Sequence, residues 1–227
     1  MQCKKRQLNI GRVVFAAGAL LALGTITASA ADDFDAALAD IQQHWAEANY
    51  TQDGKQQKQA FEALLENARD LANEHPRRAE ALIWQGIVAS SYAGVKGPFG
   101  AMSLAKEARD ALQAAEAIDP SALDGSVYTS LGALYFKVPG GLIGFGDKDL
   151  ARTYLTKALE LNPGGIDPNY FYGEFLYEQK EYRKAREALI RARQAAPRPG
   201  RELADDGRRA EISALLARID RELERTG

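Results

Sequence analysis

One phrase is written three times along this chain at identical internal spacing: Ala108-x-x-x-Leu112-x-x-Ala115, Ala151-x-x-x-Leu155-x-x-Ala158 and Ala185-x-x-x-Leu189-x-x-Ala192. Steps of three and four put residues on one face of an α-helix, so each copy predicts a helix with a small–large–small stripe. Pro120, Pro163 and Pro197 follow at one fixed distance. Proline lacks an N–H and disfavours helical geometry in the residue before it, so each helix ends there. Ahead of each copy lies a glycine within an apolar or aromatic segment: Gly86 beside Trp84, Gly132 before Tyr135, and Gly173 between Tyr172 and Leu176. A glycine on one helix and alanines on the next let two axes approach closely, and the leucine fills the remaining gap. The chain is therefore expected to fold as successive α-hairpins, and a period of three to four excludes a sheet.

These residues resemble the tetratricopeptide repeat (TPR), a helix–turn–helix unit. The resemblance implies an all-α, TPR-like solenoid of about four helix pairs plus a C-terminal capping helix. Residues 166–199 have the length of one complete unit, with Gly173 and Ala185 separated by 12 positions. The separation is 19 for Gly132 to Ala151 and 22 for Gly86 to Ala108, which predicts Gly-rich inserted loops of about seven and ten residues. Residues 31–76 read as a degenerate N-terminal pair, from the spacing of Phe34, Leu38, Ile41 and Trp45 and of Phe61, Leu64, Leu65, Ala68 and Leu71. Three units occupy 77–199, the first two carrying the insertions. Residues 200–227 form the cap, with Ile212, Leu215, Leu216, Ile219 and Leu223 on one face.

Residues 1–30 read as a signal peptide. Lys4, Lys5, Arg6 and Arg12 precede an apolar run from Val13 to Leu23, and Ala28-Ser29-Ala30 offers the small-x-small cleavage pattern. The run falls short of the roughly 20 apolar residues of a spanning helix, so export to the periplasm with cleavage after Ala30 is expected and no stable membrane anchor. Cys3, the single cysteine, lies upstream of the apolar run, which leaves no disulfide and no acylation site in the mature chain. Removing four bases from 29 leaves 25 against 31 acids, a net charge of −6. An acidic body outside the cytoplasm argues against nucleic acid as a partner.

The search for chemistry finds little. Gly141-x-x-Gly144-x-Gly146 has neither the preceding strand nor the Gly-Lys-Ser/Thr of a phosphate loop, and Asp147 and Asp149 fit better as cap and first-turn acids. His44 and His75 lie in different helices, so no metal site and no cofactor are expected. No nucleophile occupies a recognisable elbow, and the chain is expected not to be an enzyme.

First helices line the inner surface of this repeat type. The candidate ligand or partner groove is therefore aromatic: Trp84, Tyr92, Tyr128, Phe136, Tyr170, Glu174 and Tyr177, joined by Phe99, Leu142 and Phe145 from the apolar loops. In this register Ile83, Ile87 and Ser90 face the groove, as do Thr129, Ala133 and Phe136. With few charges, it suits a protein partner or a small apolar or amphipathic ligand. The glycine-rich insertion followed by Asp147-x-x-x-Ala151-Arg152-x-x-x-x-Lys157-Ala158-Leu159 also resembles the T-component family of TRAP transporters over roughly residues 76–197. That resemblance implies a periplasmic accessory of a substrate-binding partner. The expected function is a periplasmic TPR-type binding or adaptor protein serving solute uptake or envelope assembly. The alternatives are an exported α-helical enzyme acting on cell-wall glycan, for which Glu174 is the candidate acid, and a structural homo-oligomer.

Overall fold

The structure, a computed structural model, describes residues 25–226. The helices are α1 (Thr25–Tyr50), α2 (Gly54–Glu74), α3 (Ala79–Lys96), α4 (Pro98–Ile118), α5 (Ala122–Lys137), α6 (Lys148–Leu161), α7 (Ile166–Glu178), α8 (Tyr182–Arg193) and α9 (Glu202–Thr226). Among the described residues there is no strand; one isolated bridge joins Gly140 to Gly146. The basic segment and apolar run assigned to export lie outside the described residues, while the residues from Thr25 to the expected cleavage point are continuous with α1.

The thrice-written phrase forms the heart of three hairpins. Leu112, Leu155 and Leu189 are completely buried, and each seats on the glycine of its partner helix. A Cβ added at Gly86, Gly132 or Gly173 would lie only 2.6, 2.6 and 2.8 Å from the facing leucine Cγ. No side chain beyond glycine leaves that leucine its place. Pairing of α1 with α2 needs no such glycine, because Phe34, Leu38 and Ile41 pack with Phe61, Leu64 and Leu65 in the same buried core.

Odd-numbered helices form an inner layer in which α1 meets α3, α3 meets α5, α5 meets α7 and α7 meets α9. Even-numbered helices pack outside them. The expected C-terminal cap is present on α8, but α9 also returns to α1. Gly207 faces the Tyr50 ring so closely that an added Cβ would collide with the ring carbons. The Tyr50 hydroxyl donates to Glu211 Oε2 at 3.4 Å. The inner layer is thus a closed ring of five helices.

The first expected inserted loop is absent. Tyr92 to Lys96 continue α3, Gly97 (φ 89°) breaks it, and α4 starts at Pro98 with a bend at Gly100 (φ 98°). The added residues lengthen both helices, to 18 and 21 residues against 13 and 12 in α7 and α8. Helix extension satisfies the backbone internally, whereas an apolar loop would have to find partners for every N–H and C=O. The second insertion is a true loop. Gly146 N donates to Pro139 O, Asp147 N donates to Tyr135 O, and a Cβ on Gly146 would strike Val138 O. Asp147 caps α6 as expected, accepting from the N–H groups of Asp149 and Leu150.

Candidate functional site

The ring surrounds a cavity of about 920 Å³ that is partly open to solvent. Gln42 and Trp45 reach it from α1, Trp84 and Ile87 from α3, Thr129, Ala133 and Lys137 from α5, and Tyr170 and Glu174 from α7. The fifth side comes from the segment after α8 and from α9, through Arg198, Arg201, Arg208 and Glu211. Residues 129, 133 and 137 step by four, so α5 presents one continuous stripe.

Rigid aromatic packing sets one end. Trp45 and Trp84 meet edge to face at 5.9 Å, and Trp45 Nε1 donates to Ser91 Oγ at 2.9 Å. The Arg201 guanidinium lies over the Trp84 ring, 5.0 Å from its centre. Its Nη1 makes only a long hydrogen bond to Gln42 Oε1, at 3.4 Å. Burial, and then the neighbouring Arg198, lowers the proton affinity of Arg201, although Asp167 and Asp205 act the other way.

Ion pairs hold the adjoining wall. Asp167 accepts from Arg198 Nη1 at 2.6 Å and from Arg208 Nε at 2.8 Å. Burial opposes ionisation of this carboxyl, but Arg208 and Arg198 together outweigh it and hold the pKa below the usual range. Arg208 also donates to Glu211 Oε2 at 2.6 Å and stacks on Tyr170, 4.3 Å from the ring centre. Glu211 is driven the other way, upward, by burial, against Arg208 but with help from Glu174. Asp205, almost completely buried, accepts from the backbone N–H and the guanidinium of Arg198, which fixes the turn before α9.

Glu174 accepts from Lys137 Nζ through Oε1, at 2.7 Å. Its other oxygen, Oε2, is buried with no hydrogen-bond partner among the described residues, and so is Arg201 Nε. Leaving such atoms unmatched costs about 1–3 kcal/mol each, more for charged groups. A strained turn forms another part of the wall. Leu123 (φ 50°) and Asp124 (φ 55°) line the cavity in left-handed conformation just before Gly125 (φ 73°). A non-glycine residue held so costs roughly 1–2 kcal/mol.

Of the ten residues expected in a groove, the cavity takes Trp84, Tyr170 and Glu174. Tyr92 is buried, with Lys96 Nζ donating to its hydroxyl. Tyr128 faces the outer layer and stacks on Tyr154 of α6. Phe136 packs on Phe175, because the α5 stripe continues from Ala133 to Lys137 and leaves position 136 beside it. Ile83 is wholly buried for the same reason of register, while Ile87 and Ser90 do reach the cavity. Tyr177, in the last turn of α7, meets Tyr182 and Arg218. Phe145 turns inward onto Tyr135 and lies under Arg109, whereas Phe99 and Leu142 point into solvent, with Ile143 beside Leu142.

The expectation of a groove with few charges is overturned. Asp124, Asp167, Glu174 and Glu211 face Lys137, Arg198, Arg201 and Arg208 in one cavity. The arginines belong to a segment read as a break and a cap, and periodicity within α9 could not show that its buried face closes against α1. The cluster Arg198-Pro199-Gly200-Arg201 beside a helix break was the available signal.

The fold is an all-α TPR-like solenoid, here closed by its last helix. The tetratricopeptide repeat family model matches residues 142–219, the part with the most regular unit. A solved structure agrees on the fold: a thermophilic TPR protein of Thermus thermophilus is 19% identical, with a TM-score of 0.51 over 83% of this chain and 95% of that one. MamA is 19% identical (TM-score 0.43, 76% and 94% covered), and PilF of Pseudomonas aeruginosa 18% identical (TM-score 0.35, 86% and 93% covered). A search of curated proteins finds no match.

Proposed function

We propose that the chain is an exported binding protein of the TPR type that holds its ligand inside the helical ring, as an accessory to solute uptake or envelope assembly. The cavity inside the ring, partly open to solvent, carries the reading: its volume is that of a small-molecule pocket, about 300–1,000 Å³, and its walls combine aromatics with convergent polar groups. A non-catalytic role fits Glu174. Its Oε1 is engaged by Lys137 Nζ at 2.7 Å, so one carboxylate oxygen is committed to a contact within the wall. The export half rests on residues 1–30 alone.

The test is native mass spectrometry of protein purified from the periplasmic fraction. The expected spectrum shows the chain beginning after Ala30 and a population carrying additional mass. Ala133→Trp, which fills the cavity, should remove that mass while circular dichroism stays helical. Additional mass retained by a folded Ala133→Trp variant would exclude the cavity as the site. An unprocessed chain found only in the cytoplasm would overturn export.

A further inference from the structure

Charge is distributed unevenly around the cavity. None of the lining residues from α1, α3 and α4 is charged, and Trp84, Ile87, Met102 and Ala105 give that side an apolar surface. Every charged lining residue comes from α5, α7, α9 or the segment leading into α9.

Most of those charges are answered within the wall. Lys137 pairs with Glu174 at 2.7 Å, Arg198 with Asp167 and Asp205 at 2.6 Å, and Arg208 with Asp167 at 2.8 Å and Glu211 at 2.6 Å. Arg201 is the exception. No carboxylate oxygen lies within 4.0 Å of its nitrogens among the described residues. Its one hydrogen bond there is the 3.4 Å contact from Nη1 to Gln42 Oε1, and Nε is buried without a partner. Burial and then Arg198 disfavour its charge more than Asp167 and Asp205 restore it.

This guanidinium stands at the border between the two sides. It lies 5.0 Å from the centre of the Trp84 ring, so a group paired with it has the uncharged surface immediately beside it. A guanidinium presents a fork of N–H donors that a carboxylate matches with two parallel bonds. An unpaired charge taken out of water is costly, so an anion placed here relieves the wall.

Resting on the reading of the cavity as a ligand site, we infer that its ligand is an amphipathic carboxylic acid, its carboxylate on Arg201 and its apolar body against Trp84 and the uncharged α3–α4 side. The anchor is single. Glu174 and Glu211 hold ion pairs of their own, so the α7–α9 wall recruits no ammonium. A neutral apolar ligand leaves Arg201 unanswered.

Both tryptophans of the chain, Trp45 and Trp84, line the cavity, so tryptophan fluorescence reads its occupancy. The experiment titrates the purified protein with octanoate, 1-octanol and octyl phosphate. Octanoate should change the emission saturably, and octanol should bind about tenfold more weakly or worse, the cost of one unmatched charged group. Arg201→Gln should bring octanoate down to the level of octanol, while Arg201→Lys keeps part of the preference. The alcohol comparison uses the unaltered protein, so a variant that fails to fold does not blunt it. No saturable change at millimolar octanoate, or octanol binding as tightly, overturns the inference, and tighter binding of octyl phosphate overturns the carboxylate. If that happens while Ala133→Trp still removes the mass found by native spectrometry, the cavity reading stands and only the ligand class falls.

Discussion

Replacing Gly132 with alanine, alone and together with Leu155→Ala, tests the packing on which the ring depends. The new methyl would lie 2.6 Å from Leu155 Cγ and 2.9 Å from Cδ2, about 1 Å inside normal carbon contact. Leu155 cannot simply swing away, because its own backbone nitrogen would be 3.1 Å from the same methyl and α6 must shift as a body. Overpacking of this kind costs about 1–3 kcal/mol, and alanine returns roughly 1 kcal/mol of helix propensity over glycine. A net loss of up to about 2 kcal/mol is expected. Leu155→Ala, at a wholly buried site, should cost about 2–5 kcal/mol. In the double variant the colliding Cγ and Cδ2 are gone, and the methyl of residue 132 enters the space they leave. That variant should be about 1–3 kcal/mol more stable than the sum of the single losses. Urea unfolding followed by circular dichroism measures all four corners of the cycle. Additivity within about 0.5 kcal/mol would refute direct contact between the two side chains.

Closure of the ring and titration of its seam give two further predictions. Gly207→Leu forces a side chain into the Tyr50 ring and should cost about 1–3 kcal/mol, part of it recovered when Tyr50→Ala is added. An unchanged unfolding midpoint would mean that α9 does not meet α1. Burial pushes the Tyr50 hydroxyl up to about 12. An unfolded tyrosine ionises near 10, so from about pH 10 to 12 the folded state keeps a proton that the unfolded state has lost, and stability falls as pH rises. The contribution is at most about 3 kcal/mol. Tyr50→Phe should flatten part of that alkaline decline, other tyrosines raised by burial, Tyr154 and Tyr170 among them, contributing to the rest, and an identical decline in both proteins would contradict the buried placement.

Hairpin order, the three glycine–leucine contacts and the cap on α6 were legible before any coordinates. Each depends on residues close in sequence and on one helical period. Trp84, Tyr170 and Glu174 could be placed on the inner face by the same rule. Errors of one position, as at Phe136 and Ile83, arise because a helix face about 100° wide admits neighbouring residues that differ in whether they meet solvent or the next helix. The first insertion departs from the expected loop for a related reason: glycine-rich composition marks a loop only when no long partner helix stands beside it, and α4 supplies that partner for α3.

The repeated small–large–small stripes, with their prolines, determined by themselves that this chain builds stacked α-hairpins, since those contacts are local and every unit restates them. Tertiary structure alone decided that the stack closes, that α9 seals it against α1, and that Arg198, Arg201 and Arg208 turn a nominally aromatic groove into a charged chamber. Curvature accumulates over all units, and the two helices that meet lie at opposite ends of the sequence. No spacing within either one encodes the meeting.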